Sequence, residues 1–89
     1  MLKPVVFSQH ALDNVSDRGA SQEEIEQAIR TGEWLPARGD RIAFRKTFVF
    51  QDLWKGQRYE AKQVMPIVAE EPDSLVVVTV YVFFIGGQR

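Results

Sequence analysis

Three side chains near the start of the chain are spaced for proton and phosphate chemistry. His10, Asn14 and Arg18 stand at i, i+4 and i+8, so on a helix they form one polar stripe. His10 is the only histidine in the protein. Histidine is the side-chain type that ordinarily exchanges its proton near neutrality, and a fixed cation beside it suits an anionic substrate. Phe7, Ala11, Leu12 and Val15 lie on the other side of the same segment and read as its buried face. The pattern equally suits a plain surface helix whose polar side contains a histidine. The residues alone leave both readings open.

The totals bound what else the chain can do. Its 89 residues make a single domain, 1–89, near the small end of what folds alone. With no cysteine it has no disulfide and no thiolate nucleophile, which fits a reducing compartment. One histidine without cysteine does not supply the nitrogen and sulfur ligands of a transition-metal site, so no metal and no cofactor is expected. No phosphate loop, dinucleotide fingerprint or serine-triad motif is present. Leu75 to Ile85 is the longest apolar stretch, interrupted by Thr79, and is too short to cross a bilayer as a helix. The N-terminal segment does not read as a signal peptide, so a soluble cytoplasmic protein without a membrane partner is expected.

Charge is low overall and uneven locally. The net charge is −1, which excludes a uniformly basic nucleic-acid binder. Residues 34–65 nevertheless hold seven of the eleven basic side chains and only three acidic ones. Such a region suits phosphate contacts, and it also suits a solvated sheet face.

The elements that would position these groups follow from local signals. Ser8 is placed to cap a helix running to about Asp17, and Gly19 to stop it. Ser21-Gln22-Glu23-Glu24 is a capping box for a second helix that runs to about Thr31, with Ile25, Ala28 and Ile29 as its apolar stripe. Glu23, Glu24 and Glu26 sit where the helix dipole favours them and need no catalytic role. After Gly32 the period becomes two. Trp34-Leu35-Pro36 is a short extended piece. Arg41 to Phe50 alternates, with Ile42, Phe44, Phe48 and Phe50 on one side and Lys46 as the exception. Gln57 to Ala69 follows a tight turn at Lys55-Gly56. Leu75 to Ile85 is apolar on both parities, as expected of a strand buried on both faces or central in the sheet, and Gly86 to Arg89 reads as a tail. The expected fold class is α+β, with two N-terminal helices packed on one face of a three- to four-stranded antiparallel sheet. Its other face would carry Arg41, Arg45, Arg58 and Lys62 if the hairpin register allows. An uncovered edge and the apolar last strand favour a homodimer.

Phe7-Ser8-x-His10-Ala11, the stretch Arg18-Gly19-x-Ser21-x-x-x-Ile25, Gly32 and the closing Val77-Val78-Thr79-Val80-Tyr81 resemble the domain of unknown function 4258 family, in order over nearly the whole chain. That family is similar in fold to the barnase, EndoU, colicin and RelE group of small metal-independent ribonucleases. It also resembles the BrnT-type toxins of bacterial toxin–antitoxin pairs. The resemblance implies two N-terminal helices against an antiparallel sheet, RNA as substrate and a cognate antitoxin protein as partner. One departure stands out. Many relatives carry arginine where this chain has Asn14, which can hydrogen-bond but has no permanent charge.

Metal-free cleavage of RNA by the ribose 2′-OH needs a base, an acid for the leaving 5′-oxygen, and cations or donors around the phosphorus. In that chemistry His10 is the expected acid or base. Arg18 is the expected clamp on the scissile phosphate, since its fork matches two phosphate oxygens. Thr79 would orient the substrate through its hydroxyl. Arg45, Arg58 and Lys62 would contact further phosphates, and Tyr81 would bond or stack on a base. A second acid or base is not obvious, and Glu60 is the nearest candidate. Each residue also has a structural reading: Arg18 as a helix C-terminal cation, Thr79 and Tyr81 as sheet packing, Trp34 and Trp54 as anchors rather than stacking platforms. The function expected is thus a metal-independent ribonuclease of toxin–antitoxin type. The alternative is a non-catalytic domain of the same fold that binds RNA or protein.

Overall fold

The computed structural model describes residues 3–87. It contains β1 (Val5–Phe7), α1 (Gln9–Val15), α2 (Gln22–Thr31), β2 (Glu33–Pro36), β3 (Arg41–Trp54), β4 (Gln57–Glu70) and β5 (Leu75–Ile85). The strands form one sheet in the order β1-β5-β4-β3-β2. β1 runs parallel to β5, and every other neighbouring pair is antiparallel. The expected three- to four-stranded antiparallel sheet is therefore corrected to a five-stranded mixed sheet that dominates the chain. The two helices do lie against one face of it. The extra strand is three residues long, too short to show a period, and its partner lies at the far end of the sequence. No helix among the described residues is long and apolar enough to cross a membrane.

The helices form where their caps dictate. Ser8 accepts a hydrogen bond from the Ala11 amide at 3.1 Å and starts α1. α1 ends at Val15, two residues before the expected Asp17. The turn that follows closes on Gly19 at φ +84°, with the Ala20 amide donating to the Val15 carbonyl at 3.1 Å. A β-carbon on Gly19 would stand 2.9 Å from Cζ of Phe84, so this position is glycine for its backbone angle and for its close approach to the sheet. Ser21 and Glu24 form both bonds of the capping box and start α2.

The core lies between the helices and the sheet. Ala11, Val15, Ile25 and Ile29 from the helices meet Val64, Val68, Val77 and Val80 from β4 and β5. Ile25 and all four of these valines are fully enclosed, so they contribute strongly to the apolar stabilisation of the fold. At the other end of the sheet Trp54 stacks on Phe84 with centroids 5.2 Å apart, and Phe50 meets the same ring edge-on.

Two irregularities set which side chain faces which way. Trp54 lies opposite Gln57 across a turn whose residues Lys55 and Gly56 both have positive φ, the geometry of a tight two-residue hairpin. Continued without interruption, that register would put odd residues of β3 on the face of even residues of β4. A bulge between Val49 and Asp52, with Gln51 at φ +50°, inverts the relation. In β5 the partners step from Ile67–Thr79 to Val68–Val77, so Val78 is the extra residue. Val77 and Val80 thereby both face the helices, three positions apart. The expectation that β5 is buried on both faces holds no further than its first half, since Tyr81, Phe83 and Ile85 are exposed on the face away from the helices. Gly86 and Gly87 follow, and the remainder of the expected tail, 88–89, lies outside the described residues.

Candidate active site

The His10 stripe lies along the edge of β5. β1 pairs with β5 only from Leu75 to Val77. Immediately beyond, the Ser8 amide donates to the Val77 carbonyl at 3.0 Å and the Ser8 hydroxyl approaches the Val78 carbonyl at 3.4 Å. These bonds seat α1 against the strand. Arg18 then reaches to the same edge, its Nη1 donating to the Val80 carbonyl at 2.9 Å. Its guanidinium carbon stands 5.6 Å from the centre of the Tyr81 ring. One arginine thus covers both the open backbone and the neighbouring aromatic side chain.

His10 is exposed. Asn14 donates to the His10 carbonyl at 2.7 Å, and its amide nitrogen is 3.5 Å and 3.4 Å from the two ring nitrogens. The near-equal distances favour neither nitrogen. Asn14 therefore steadies the ring without selecting its tautomer. His10 lies in the first turn of α1, whereas Arg18 lies eight residues on, in the turn that follows the helix.

Thr79 and Tyr81 stand on the face away from the helices. They line an open groove of about 810 Å³ together with Arg38, Arg41, Ile67 and Glu70. His10 and Arg18 do not line it, so Tyr81 is the link between groove and stripe. Arg38 was not singled out by the sequence. The turn signal Arg38-Gly39-Asp40 marks its loop, but nothing local shows that the loop closes over Thr79.

The expected basic cluster does not assemble. Arg41 and Arg45 lie on the open face, whereas Arg58 and Lys62 belong to the helix face of β4, because the Gln51 bulge inverts the hairpin's parity. Arg45 is engaged through Nε at 3.1 Å and Nη2 with Glu33 on β2. Arg58 is exposed beside Glu60, 3.9 Å away. Lys62 is buried, bonded to Glu24 at 2.8 Å and to the Gly19 carbonyl at 2.7 Å. It links the two helices to the sheet. Trp34 is exposed, and Trp54 is half-buried in the aromatic cluster. Among the described residues no three His, Asp or Glu side chains gather as metal ligands.

Comparison with known proteins gives one match. Residues 7–82 match the model of a family described as "Domain of unknown function (DUF4258)". No curated protein and no solved structure matches the chain. The matched span begins at the last residue of β1 and takes in α1, both helix caps, Thr79 and Tyr81. On that match, which covers most of its length, the chain belongs to the domain of unknown function 4258 family.

Proposed function

We propose that this protein is a metal-independent ribonuclease of the toxin–antitoxin kind, acting in the cytoplasm and restrained by a protein antitoxin. The observation that carries the reading is the course of Arg18 along the open edge of β5 onto Tyr81, on the same stripe as an exposed histidine. His10 takes the proton of a ribose 2′-OH. The 2′-oxygen forms its bond to the adjacent phosphorus, and the bond to the 5′-oxygen breaks. The leaving 5′-oxygen takes its proton from water. The products are a 2′,3′-cyclic phosphate and a free 5′-OH. Arg18, past the end of α1 and eight residues from His10, holds a phosphate further along the strand than the one His10 attacks. Thr79 and Tyr81 offer hydroxyls, and the Tyr81 ring offers a stacking face. Arg41 and Arg38 line the groove into which the strand would continue.

The test is cleavage of an end-labelled, mixed-sequence RNA in EDTA, wild type beside His10→Ala. Fragments ending in cyclic phosphate are expected from the wild type alone. Equal cleavage by a folded His10→Ala protein overturns the assignment.

A second reading has an observation of its own. Part of the Arg18 fork is occupied by Val80, and Asn14 leaves the stripe with a single fixed cation. This favours a domain that holds RNA without cutting it. Saturable binding with no cleavage products would establish that reading in place of the first.

A further inference from the structure

Beyond Val80, the edge of β5 has no partner among the described residues. β1 stops pairing at Val77, and Ser8 and Arg18 cover the carbonyls of Val78 and Val80. No turn, loop or cap bond reaches the backbone of Val82 or Phe84. Val80 lies opposite Pro66, which has no N–H to offer across the ladder, and its own carbonyl points outward to Arg18. In an antiparallel strand this direction recurs at every second residue, so the N–H and C=O of Val82 and Phe84 also point outward.

Protein edges are ordinarily blunted by charge, proline or a bulge. The opposite side of this sheet is blunted in all three ways. β2 carries Glu33 and Pro36, and the part of β3 beyond it carries Lys46, Asp52 and the bulge at Gln51. Tyr81 to Ile85 has none of these.

We propose that this edge is completed by the same edge of a second copy of the chain, antiparallel, about a two-fold axis through Phe83. Opposed residues in an antiparallel pair share a face, so odd positions must meet odd ones. Arg18 occupies the edge at Val80, and at Gly86 the backbone turns away with φ +74°. The five residues between these limits are centred on Phe83. In this register Val82 exchanges hydrogen bonds with Phe84 of the second copy, Tyr81 faces Ile85, and Phe83 faces itself.

The space beside Arg18 also fits a second copy. Gly86 would lie opposite Val80 and add no side chain against Arg18. Glu60 packs beside Gly86, where an added β-carbon would meet the Glu60 Cβ at 3.2 Å. Glu60 of the second copy would stand one strand behind that Gly86, with its own Arg58 3.9 Å away, and symmetry repeats the arrangement. The area is modest. Tyr81, Phe83 and Ile85 are 43%, 47% and 43% exposed. An aromatic side chain carries roughly 150–250 Å², so each of the two rings has about 100 Å² left to bury. That places the interface at the low end, below about 1,200 Å² in total, where association is weak and reversible. The pairing uses Arg18 and Tyr81, which the proposed ribonuclease gives to RNA, so a second copy and RNA occupy this edge in turn, and sedimentation without RNA reads the pairing alone.

Sedimentation equilibrium at increasing concentration tests it. The wild type is expected to approach twice the 10.2 kDa of one chain at tens to hundreds of micromolar, the range of a weak interface. Phe83→Lys and Phe83→Glu each set a like charge against itself and should weaken association at least tenfold. Both change an exposed side chain, and circular dichroism checks their fold. An equimolar mixture of the two variants should dimerise again, because only the mixed pair opposes unlike charges. The Val82 and Phe84 amides should become slower to exchange as the wild type associates. A wild type that stays monomeric overturns the proposal. So does a mixture that fails to recover, or association lost in Val49→Lys on the open face but kept in both Phe83 variants.

Discussion

The ammonium of Lys62 lies 2.8 Å from the Glu24 carboxylate and 2.7 Å from the Gly19 carbonyl. Glu24 Oε1 also accepts the Ser21 amide at 3.0 Å. One buried cation on β4 thus ties the cap of α2 to the turn that ends α1.

Lys62→Met keeps the length of the side chain and removes its charge. It leaves the Gly19 carbonyl without a partner in a closed site. The expected loss is about 2 kcal/mol, within the usual range for an orphaned buried polar group. Arg58→Ala, at an exposed position on the same strand, should change stability by less than about 0.5 kcal/mol. Urea midpoints of the two variants check the contrast. RNA affinity per folded molecule should be unaffected by Lys62→Met.

Gly19 and Gly56 have nearly the same backbone angle, φ +84° and +83°. Only Gly19 has a neighbour in the way. Gly56→Ala should lose about 1 kcal/mol from backbone strain alone. Gly19→Ala should lose more, since Phe84 must also move out of its stack with Trp54. Thermal melts of the pair are expected to rank them in that order, with the near-ultraviolet aromatic signal altered in Gly19→Ala alone.

His10→Ala changes an exposed side chain and should leave stability within about 0.5 kcal/mol. If RNA is cleaved by the proposed route, the rate should fall by about 100-fold or more, the usual contribution of a positioned acid or base. Melting curves and cleavage rates on the same preparations separate the two effects.

Asn14→Arg adds a second fixed cation to the stripe. RNA binding should tighten, and the dependence of log K on log salt should steepen by about one contact. Fluorescence anisotropy at several salt concentrations reads both. An unchanged salt slope would place the bound strand away from α1.

Much of the fold was legible because its signals are local. Ser8, Gly19, the Ser21–Glu24 box and the Lys55-Gly56 turn each act within a few residues, and each is found where its residues placed it. What escaped depends on distance or on a single inserted residue. β1 is three residues whose partner lies 70 positions away. The bulge at Val78 is hidden because both parities of β5 are apolar there. The bulge at Gln51 separates Arg41 and Arg45 from Arg58 and Lys62, which an unbroken hairpin would have united. For the candidate site, the stripe could be read from helical spacing. Its junction with Tyr81 could not, because it joins residues 63 positions apart in the chain.

The pairing of Val5–Phe7 with Leu75–Val77 has a consequence for the order of assembly. The Leu75 amide donates to the Pro4 carbonyl and the Ser8 amide donates to the Val77 carbonyl, so the seat of α1 is built from segments about 70 residues apart. Closing so long a loop is entropically unfavourable until both partners are available, and such contacts form late. His10 is synthesised before the strand edge that orients its stripe. The stripe therefore stays unformed in the nascent chain until β5 has been made, and whatever that surface does begins only then.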